Sequence, residues 1–389
     1  MQNHNLLQKY DKIITESKPI LEQYDLCDYC LGRFFIKKTN FSSVKKLGRE
    51  IRNSINAKDT VQCYICKDVF SLSDFYVKMM LDASDKYQFS TILVGTILKQ
   101  SITERDDKIR SEFCLRGVDS IKTLVTRELE KKFTKITHGV IDHLSPDITL
   151  TINFKTEHCD VKTRHLFLYG RYTKSKRGLS QKQKSCEDCY GRGCLFCDNH
   201  GIVSFDSVEG KISKVLYKKF QTEHVKFTWM GSEDKESLVL GNGRPFFAKL
   251  ISPKKSDVLL PKKSHQDEIV IHDLRKIDHI PKGTIPFKSK ITLLIETKNK
   301  ITSEKLKELK HLDGIPIIVT DERGIRHKKI IHSLKYKKES ARSFFVILEA
   351  DGGLPIKRFV EGINVDPSIG KILDTKCSCR QFDINQILP

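Results

Sequence analysis

No apolar run in this 389-residue sequence approaches the ~18–20 residues that a membrane-crossing helix needs; Phe344 to Leu348 is among the longest. A membrane location is therefore not expected. The N-terminal stretch MQNHNLLQKYDKII has neither an apolar signal core nor a small-residue cleavage site, so export is not expected and a cytoplasmic protein is. There is no P-loop, no GxGxxG after a strand, no HExxH and no GxSxG. ATP hydrolysis, nicotinamide chemistry, zinc proteolysis and serine hydrolysis thereby lose their sequence support. Internal repeats and extended low-complexity segments are absent too.

Acidic residues are in deficit. The 49 Asp and Glu against 69 Lys and Arg leave a formal charge of +20. That excess suits a polyanion, nucleic acid first, because cations that neutralise phosphates release counterions. An anionic membrane surface is the weaker reading, since no strongly amphipathic basic helix is evident. At 39% hydrophobic, the chain has enough apolar material for packed cores, and its length suggests two or three domains.

Eight of the twelve cysteines form C-x-x-C pairs: Cys27/Cys30, Cys63/Cys66, Cys186/Cys189 and Cys194/Cys197. In a chain without export signals this pattern points to metal before disulfide, with redox pairs as the alternative. Two knuckles present four thiolates to one Zn²⁺, a closed structural site with no open position for water. In the second quartet, Gly191 and Gly193 let the chain turn sharply between knuckles. The other four, Cys114, Cys159, Cys377 and Cys379, read as ordinary thiols.

Organisation follows from periodicity. Residues 1–25 read as a helix, and Val44, Leu47, Ile51 and Ile55 form a helical stripe between the first two knuckles. This predicts a zinc-binding N-terminal module over 1–70. From 71 to 165 strands and helices alternate. Ile121, Leu124, Val125, Leu129 and Phe133 mark an amphipathic helix with its start near Asp119 or Ser120, and Ile148 to Phe154 alternates as a half-buried strand. From 166 to 389 short strands alternate with helices near 208–220 and 303–312; segments 252–264 and 281–290 read as loops. The fold class is α+β.

Two segments are candidates for function. RYTKSKRGLSQKQK (171–184) has Arg171, Lys174, Lys176, Arg177, Lys182 and Lys184 with no acid, beside Tyr169 and Tyr172. It suits an RNA-backbone path with aromatic stacking, or else a solvated charged loop. The turn-rich segment 231–246 runs from the acidic turn Gly231-Ser232-Glu233-Asp234 to GNGRPF (241–246). An Asp in such a turn is ordinarily a turn or cap residue.

Four segments, taken together and in order, resemble a known family: LCDYCLGRFF (26–35), YGRYTKSKRGLSQ (169–181), GSEDKESLVLGNGRPF (231–246) and GGLPIKRFVEG…DPSIGKIL (352–373). They are similar to the THUMP-containing tRNA pseudouridine synthases, the "Pus ten" family of archaea and eukaryotes. The resemblance implies a zinc-stapled, THUMP-containing N-terminal domain and a mixed α/β pseudouridine-synthase domain. It implies an isomerase acting on uridines 54 and 55 of the tRNA TΨC arm, with tRNA as partner, no organic cofactor and no obligate protein partner. The catalytic Asp falls on Asp234. Arg244, Lys357, Tyr172 and Arg171 become candidate substrate-binding residues, with Lys357 placed to pair with Asp234. The sequence departs from the family pattern at Ser232, Glu236, Leu238, Ile291 and Pro355; at the last two the family has Tyr. Tyr336 is the aromatic weighed in their stead. These departures leave an alternative, a catalytically impaired, zinc-containing tRNA-binding protein of the same fold. A THUMP-bearing methyltransferase or thiolation enzyme would need a Gly-rich cofactor loop or an S-G-G-x-D-S motif, and neither is present.

Overall fold

The computed structural model describes residues 2–388, which divide into two compact units between Arg164 and His165. The first unit has helices α1 (Gln2–Gln23), α2 (Asp28–Phe35), α3 (Val44–Ile55), α4 (Ser73–Ser84), α5 (Gln100–Glu112) and α6 (Ile121–Thr137). Its strands are β1 (Thr91–Ile97), β2 (Val140–Ile141), β3 (Ile148–Asn153) and β4 (His158–Thr163). They form one sheet in the order β2-β1-β3-β4, in which β1 runs parallel to both neighbours and β4 antiparallel to β3.

Local signals set these elements. The Ser43 hydroxyl accepts from Lys46 N to start α3, and the Ser120 hydroxyl accepts from Thr123 N to start α6. The α6 stripe Ile121, Leu124, Val125, Leu129 and Phe133 is its buried face, packed in one core with Ile148, Leu150 and Ile152 of β3. That core takes in residues from both sides of position 70, Leu47 and Ile51 of α3 among them. A buried ion pair, Arg33 with Asp106, ties α2 to α5, and Asp106 Oδ2 also accepts from Ile121 N at the start of α6.

The second unit is built on an eleven-stranded sheet. Its strands are β5 (Leu166–Lys174), β6 (His224–Trp229), β7 (Val239–Ile251), β8 (Lys263–Gln266), β9 (Ile269–Ile277), β10 (Lys288–Thr297), β11 (Pro316–Thr320), β12 (Arg326–Lys338), β13 (Ser343–Asp351), β14 (Val365–Asp366) and β15 (Cys377–Leu388). Helices α7 (Val208–Phe220), α8 (Ser303–Lys307), α9 (Ile356–Glu361) and α10 (Ile369–Ile372) accompany them. The order is β14-β11-β12-β13-β10-β15-β7-β5-β9-β8, with β6 also paired to β7. The joint that matters is central: β15 meets β7 in parallel at Ile384 and Val239. Two apolar clusters lie on either side of it, one with β10, β13 and α9, the other with β5, β7 and α7.

The GNGRPF segment, read from sequence as a turn, lies within strand β7. Gly241 and Gly243 take φ of 57° and 69°, so the strand bulges without breaking. At Gly243 a Cβ would come within 2.5 Å of Tyr172 O, which leaves room only for glycine.

Candidate active site

Strand β5 supplies the base of the site. Its alternation puts Leu168, Gly170, Tyr172 and Lys174 on one buried face. Lys174 is fully buried, with Nζ 3.0 Å from Glu233 Oε1. The same ammonium donates to the carbonyls of Leu179 (2.9 Å), Asp234 (3.3 Å) and Lys235 (3.4 Å). Tyr172 Oη donates to Glu233 Oε2 at 2.9 Å, and Arg244 Nε lies 3.6 Å from that oxygen. The Glu233 side chain is wholly buried; a carboxylate taken out of water survives as an ion only when cations and donors surround it. Here two cations and a phenol do so. Burial first, then the Glu233 charge, holds the Tyr172 phenol well above its usual range.

Glu233 anchors the turn that presents Asp234. Gly231 opens it at φ 78°. Asp234 Oδ1 accepts from Glu236 N at 3.0 Å, and Asp234 O accepts from Ser237 N at 3.0 Å. The other carboxylate oxygen, Oδ2, lies 2.6 Å from Lys357 Nζ in the first turn of α9. Burial pushes the Asp234 carboxyl up. The Lys357 ammonium and the Glu236 N–H outweigh it, with Lys174 adding to them, and the carboxyl ends below the usual carboxylate range. Lys357 moves reciprocally upward through its bond to Asp234.

Asp234 and Lys357 line a cavity of about 380 Å³. Ile291, Phe287, Phe382 and Ile384 make its apolar wall, and Pro355 and Arg358 its α9 side. Ile291 and Pro355, where the family pattern has Tyr, thus both face this cavity. Tyr336 packs against the β10–β13 core and is not among the lining residues.

The other sequence-predicted binding residues, Arg171, Tyr172 and Arg244, are all buried. Arg171 is buried and donates to the carbonyls of Asn242, Gly243 and Ile387, a strut joining β5, β7 and β15. Tyr172 is fully buried beneath the site, with no face free for a base. Arg244 reaches the cavity but is 3% exposed; its guanidinium holds Met230 O at 3.0 Å and Glu233, so it supports the wall and offers no solvent-facing phosphate contact. The basic segment splits in the same way. Lys174 is buried, Arg177 pairs bidentately with Asp383, and Lys176, Lys182 and Lys184 remain exposed. Charge runs are read from sequence as surface, but the alternation of β5 turns Lys174 inward, and Arg171 is buried on the other face of the strand. Glu233 and Phe287 were not picked out from sequence. Glu233 sits in the acidic turn beside Asp234, but nothing in sequence marks it as buried. Phe287 lies in a segment read as loop.

Both cysteine quartets assemble. Within each, the sulfurs all lie within 4.8 Å of one another. Separations of 3.7–3.9 Å for Cys186/Cys194, Cys189/Cys197 and Cys194/Cys197, and 3.7 Å for Cys27/Cys66, far exceed an S–S bond. They match the ~3.8 Å edge of a tetrahedron with a metal–sulfur distance near 2.3 Å. Backbone N–H groups of Gly193 and Gly201 point at Cys189 and Cys197 sulfurs, each at 3.2 Å, as thiolates require. Burial alone would raise the Cys189 thiol; the Gly193 and Gly191 N–H groups and neighbouring thiols outweigh it and bring it to about 7. Either quartet can hold a metal ion. Among the described residues no helix is long and apolar enough to cross a membrane.

Comparison with known proteins places this architecture. Residues 167–387 match the family described as Pus10, C-terminal, and residues 76–153 the Pus10 THUMP domain, archaeal. A tRNA pseudouridine synthase Pus10 of Nitrosopumilus maritimus is 45% identical over 97% of this chain and 98% of its own length. That of Cenarchaeum symbiosum is 36% identical over 94% and 90%, and that of Methanothermobacter marburgensis 28% identical over 96% and 96%. The chain, an α+β protein with a THUMP domain and a pseudouridine-synthase domain, belongs to the Pus10 family of tRNA pseudouridine synthases, isomerases of RNA.

Proposed function

We propose that this chain converts uridines 54 and 55 of the tRNA TΨC arm to pseudouridine, with Asp234 as the essential carboxylate. The observation that carries this reading is an ionised carboxylate, paired with Lys357, in the wall of a cavity that also presents the apolar side chains of Phe287, Ile291, Phe382 and Ile384. A uridine in a folded loop has to be flipped out and held in such a pocket. There the Asp234 carboxylate faces the sugar–base linkage, acts as nucleophile or proton acceptor, and stabilises developing positive charge. The N1–C1′ bond breaks, C1′ joins C5, the C5 proton leaves and N1 gains one. The product is an isomer, so atoms and electrons balance without ATP or a redox cofactor. Lys357 keeps Asp234 ionised, while Lys174, Glu233 and Arg244 hold its turn in place.

Zinc fits the two sulfur tetrahedra. Cys27, Cys30, Cys63 and Cys66 hold one ion and Cys186, Cys189, Cys194 and Cys197 the other. Bound there, zinc supplies folding free energy and takes no part in the isomerisation. The THUMP domain contributes remote binding energy that positions the arm, in a cytoplasmic enzyme working on tRNA.

Ile291 and Pro355 favour a second reading, tRNA binding without turnover, because the family's aromatic positions are aliphatic in this cavity. Chemical mapping of pseudouridine in an unmodified tRNA transcript separates the two. Product from zinc-loaded wild type and none from Asp234→Ala supports the enzyme. Tight binding without product supports the binding protein.

A further inference from the structure

The cavity that holds Asp234 has a neighbour. A second cavity of about 510 Å³ shares Gly231, Phe287 and Gly353 with it and extends to Trp229, Thr284, Pro286 and Lys329. The partition between them is the Phe287 ring, and it is clamped. A Cβ on Gly231 would come within 2.8 Å of that ring and one on Gly352 within 2.4 Å, while Gly352 N donates to Phe287 O at 2.6 Å. Two glycines thus fix an aromatic wall with a hollow on each side.

The far hollow has the chemistry of a base pocket. Trp229 is locked by aromatic neighbours, parallel to Phe227 at 5.1 Å and edge-on to Tyr172 at 5.8 Å. It is only partly buried and lines the hollow. Lys329 supplies a cation there and is anchored by Gly352 O at 2.6 Å. The acid present, Asp351, is already engaged by Ile330 N and His332 Nε2. Lys282, Lys288 and Lys328, chain neighbours of lining residues, are exposed. A rigid aromatic surface with cations at its rim suits a nucleobase and its phosphate.

We propose that this second cavity receives the base next to the target uridine in the same RNA strand, stacked against Trp229, while the target lies beside Asp234. The proposal rests on reading the Asp234 cavity as the uridine site. Adjacency of the two hollows, which share Gly231, Phe287 and Gly353, commits it to the adjoining nucleotide.

Trp229 is the sole tryptophan, so its fluorescence reports this cavity alone. The titrants are an unmodified tRNA transcript and two transcripts abasic at either neighbour of the target. Intact tRNA is expected to quench Trp229. One abasic transcript is expected to lose that quenching and ~5–160-fold in kcat/KM, the scale of one lost base stack. Trp229→Leu should lower kcat/KM on intact tRNA by a similar factor and change little on that abasic transcript. Quenching that persists with both abasic transcripts overturns the proposal. So does a Trp229→Leu loss that is equal on all three. Product formation in the same samples reads the Asp234 assignment, so the two ideas fail separately.

Discussion

The buried ammonium of Lys174 lies 3.0 Å from the Glu233 carboxylate and at the same time donates to the Asp234 carbonyl. One nitrogen therefore neutralises the residue before the candidate nucleophile and pins the backbone of the nucleophile itself. This makes Lys174 a positioning residue of the site.

Replacing Lys174 with Met leaves Glu233 buried with Arg244 and Tyr172 as its remaining partners. Breaking a buried pair on one side typically costs ~3–5 kcal/mol. Equilibrium denaturation of Lys174→Met should register a loss of that order. The double variant Lys174→Met, Glu233→Gln removes both charges and should regain much of it. Equal losses in single and double variants would contradict the pairing.

The Lys357–Asp234 pair sets a pH dependence. With Asp234 as the proposed essential carboxylate, activity is expected to fall as pH drops through its pKa, which Lys357 helps hold below the usual value. Lys357→Met removes the main opposing influence to burial; Lys174 and the Glu236 N–H stay. The acid limb of the kcat/KM profile should move to higher pH in the variant. The stability from the depressed carboxyl is present above the unfolded pKa of about 3.9 and is lost as pH falls through the lower folded value. Any acid destabilisation from this pair is thus confined to below about pH 4.

Arg171 separates strut from RNA contact. Arg171→Ala deletes bonds to three carbonyls, two of them buried, each worth about 1 kcal/mol or more, and should lower stability. The slope of log Kd for tRNA against log salt should stay unchanged, because no phosphate contact is lost. A slope shallower by about 0.7–0.9 would mean Arg171 does touch a phosphate.

Metal content is countable. Elemental analysis should give two equivalents of zinc. Cys189→Ser should lose the ion held at 186–197 and Cys30→Ser the one held at 27–66. A single equivalent in wild type would contradict one of the sulfur tetrahedra.

What the sequence disclosed depended on how local the signal was. The cysteine quartets were legible because metal-ligand spacing is written along the chain. Strands such as β3 and helices such as α6 were legible because one face of each is apolar at its own period. Asp234 and Lys357 stood out through motif resemblance, although 123 residues separate them. The ionic network beneath them did not. Lys174 is one lysine in a basic run, and only the pairing of β5 with β7 turns it inward. Phe287 was hidden in the same way, since its role depends on two glycines of distant segments closing on its ring. The GNGRPF strand was missed because positive-φ glycines signal turns in sequence and accommodate bulges as readily.

The most direct test of the central claim is single-turnover pseudouridine formation by zinc-loaded Asp234→Asn against wild type on an unmodified transcript. The isosteric amide keeps the shape of the turn and removes the charge. Product from wild type and its loss by several orders of magnitude in Asp234→Asn, with tRNA affinity retained, is the predicted result. Comparable product from both proteins would show that the chemistry lies elsewhere.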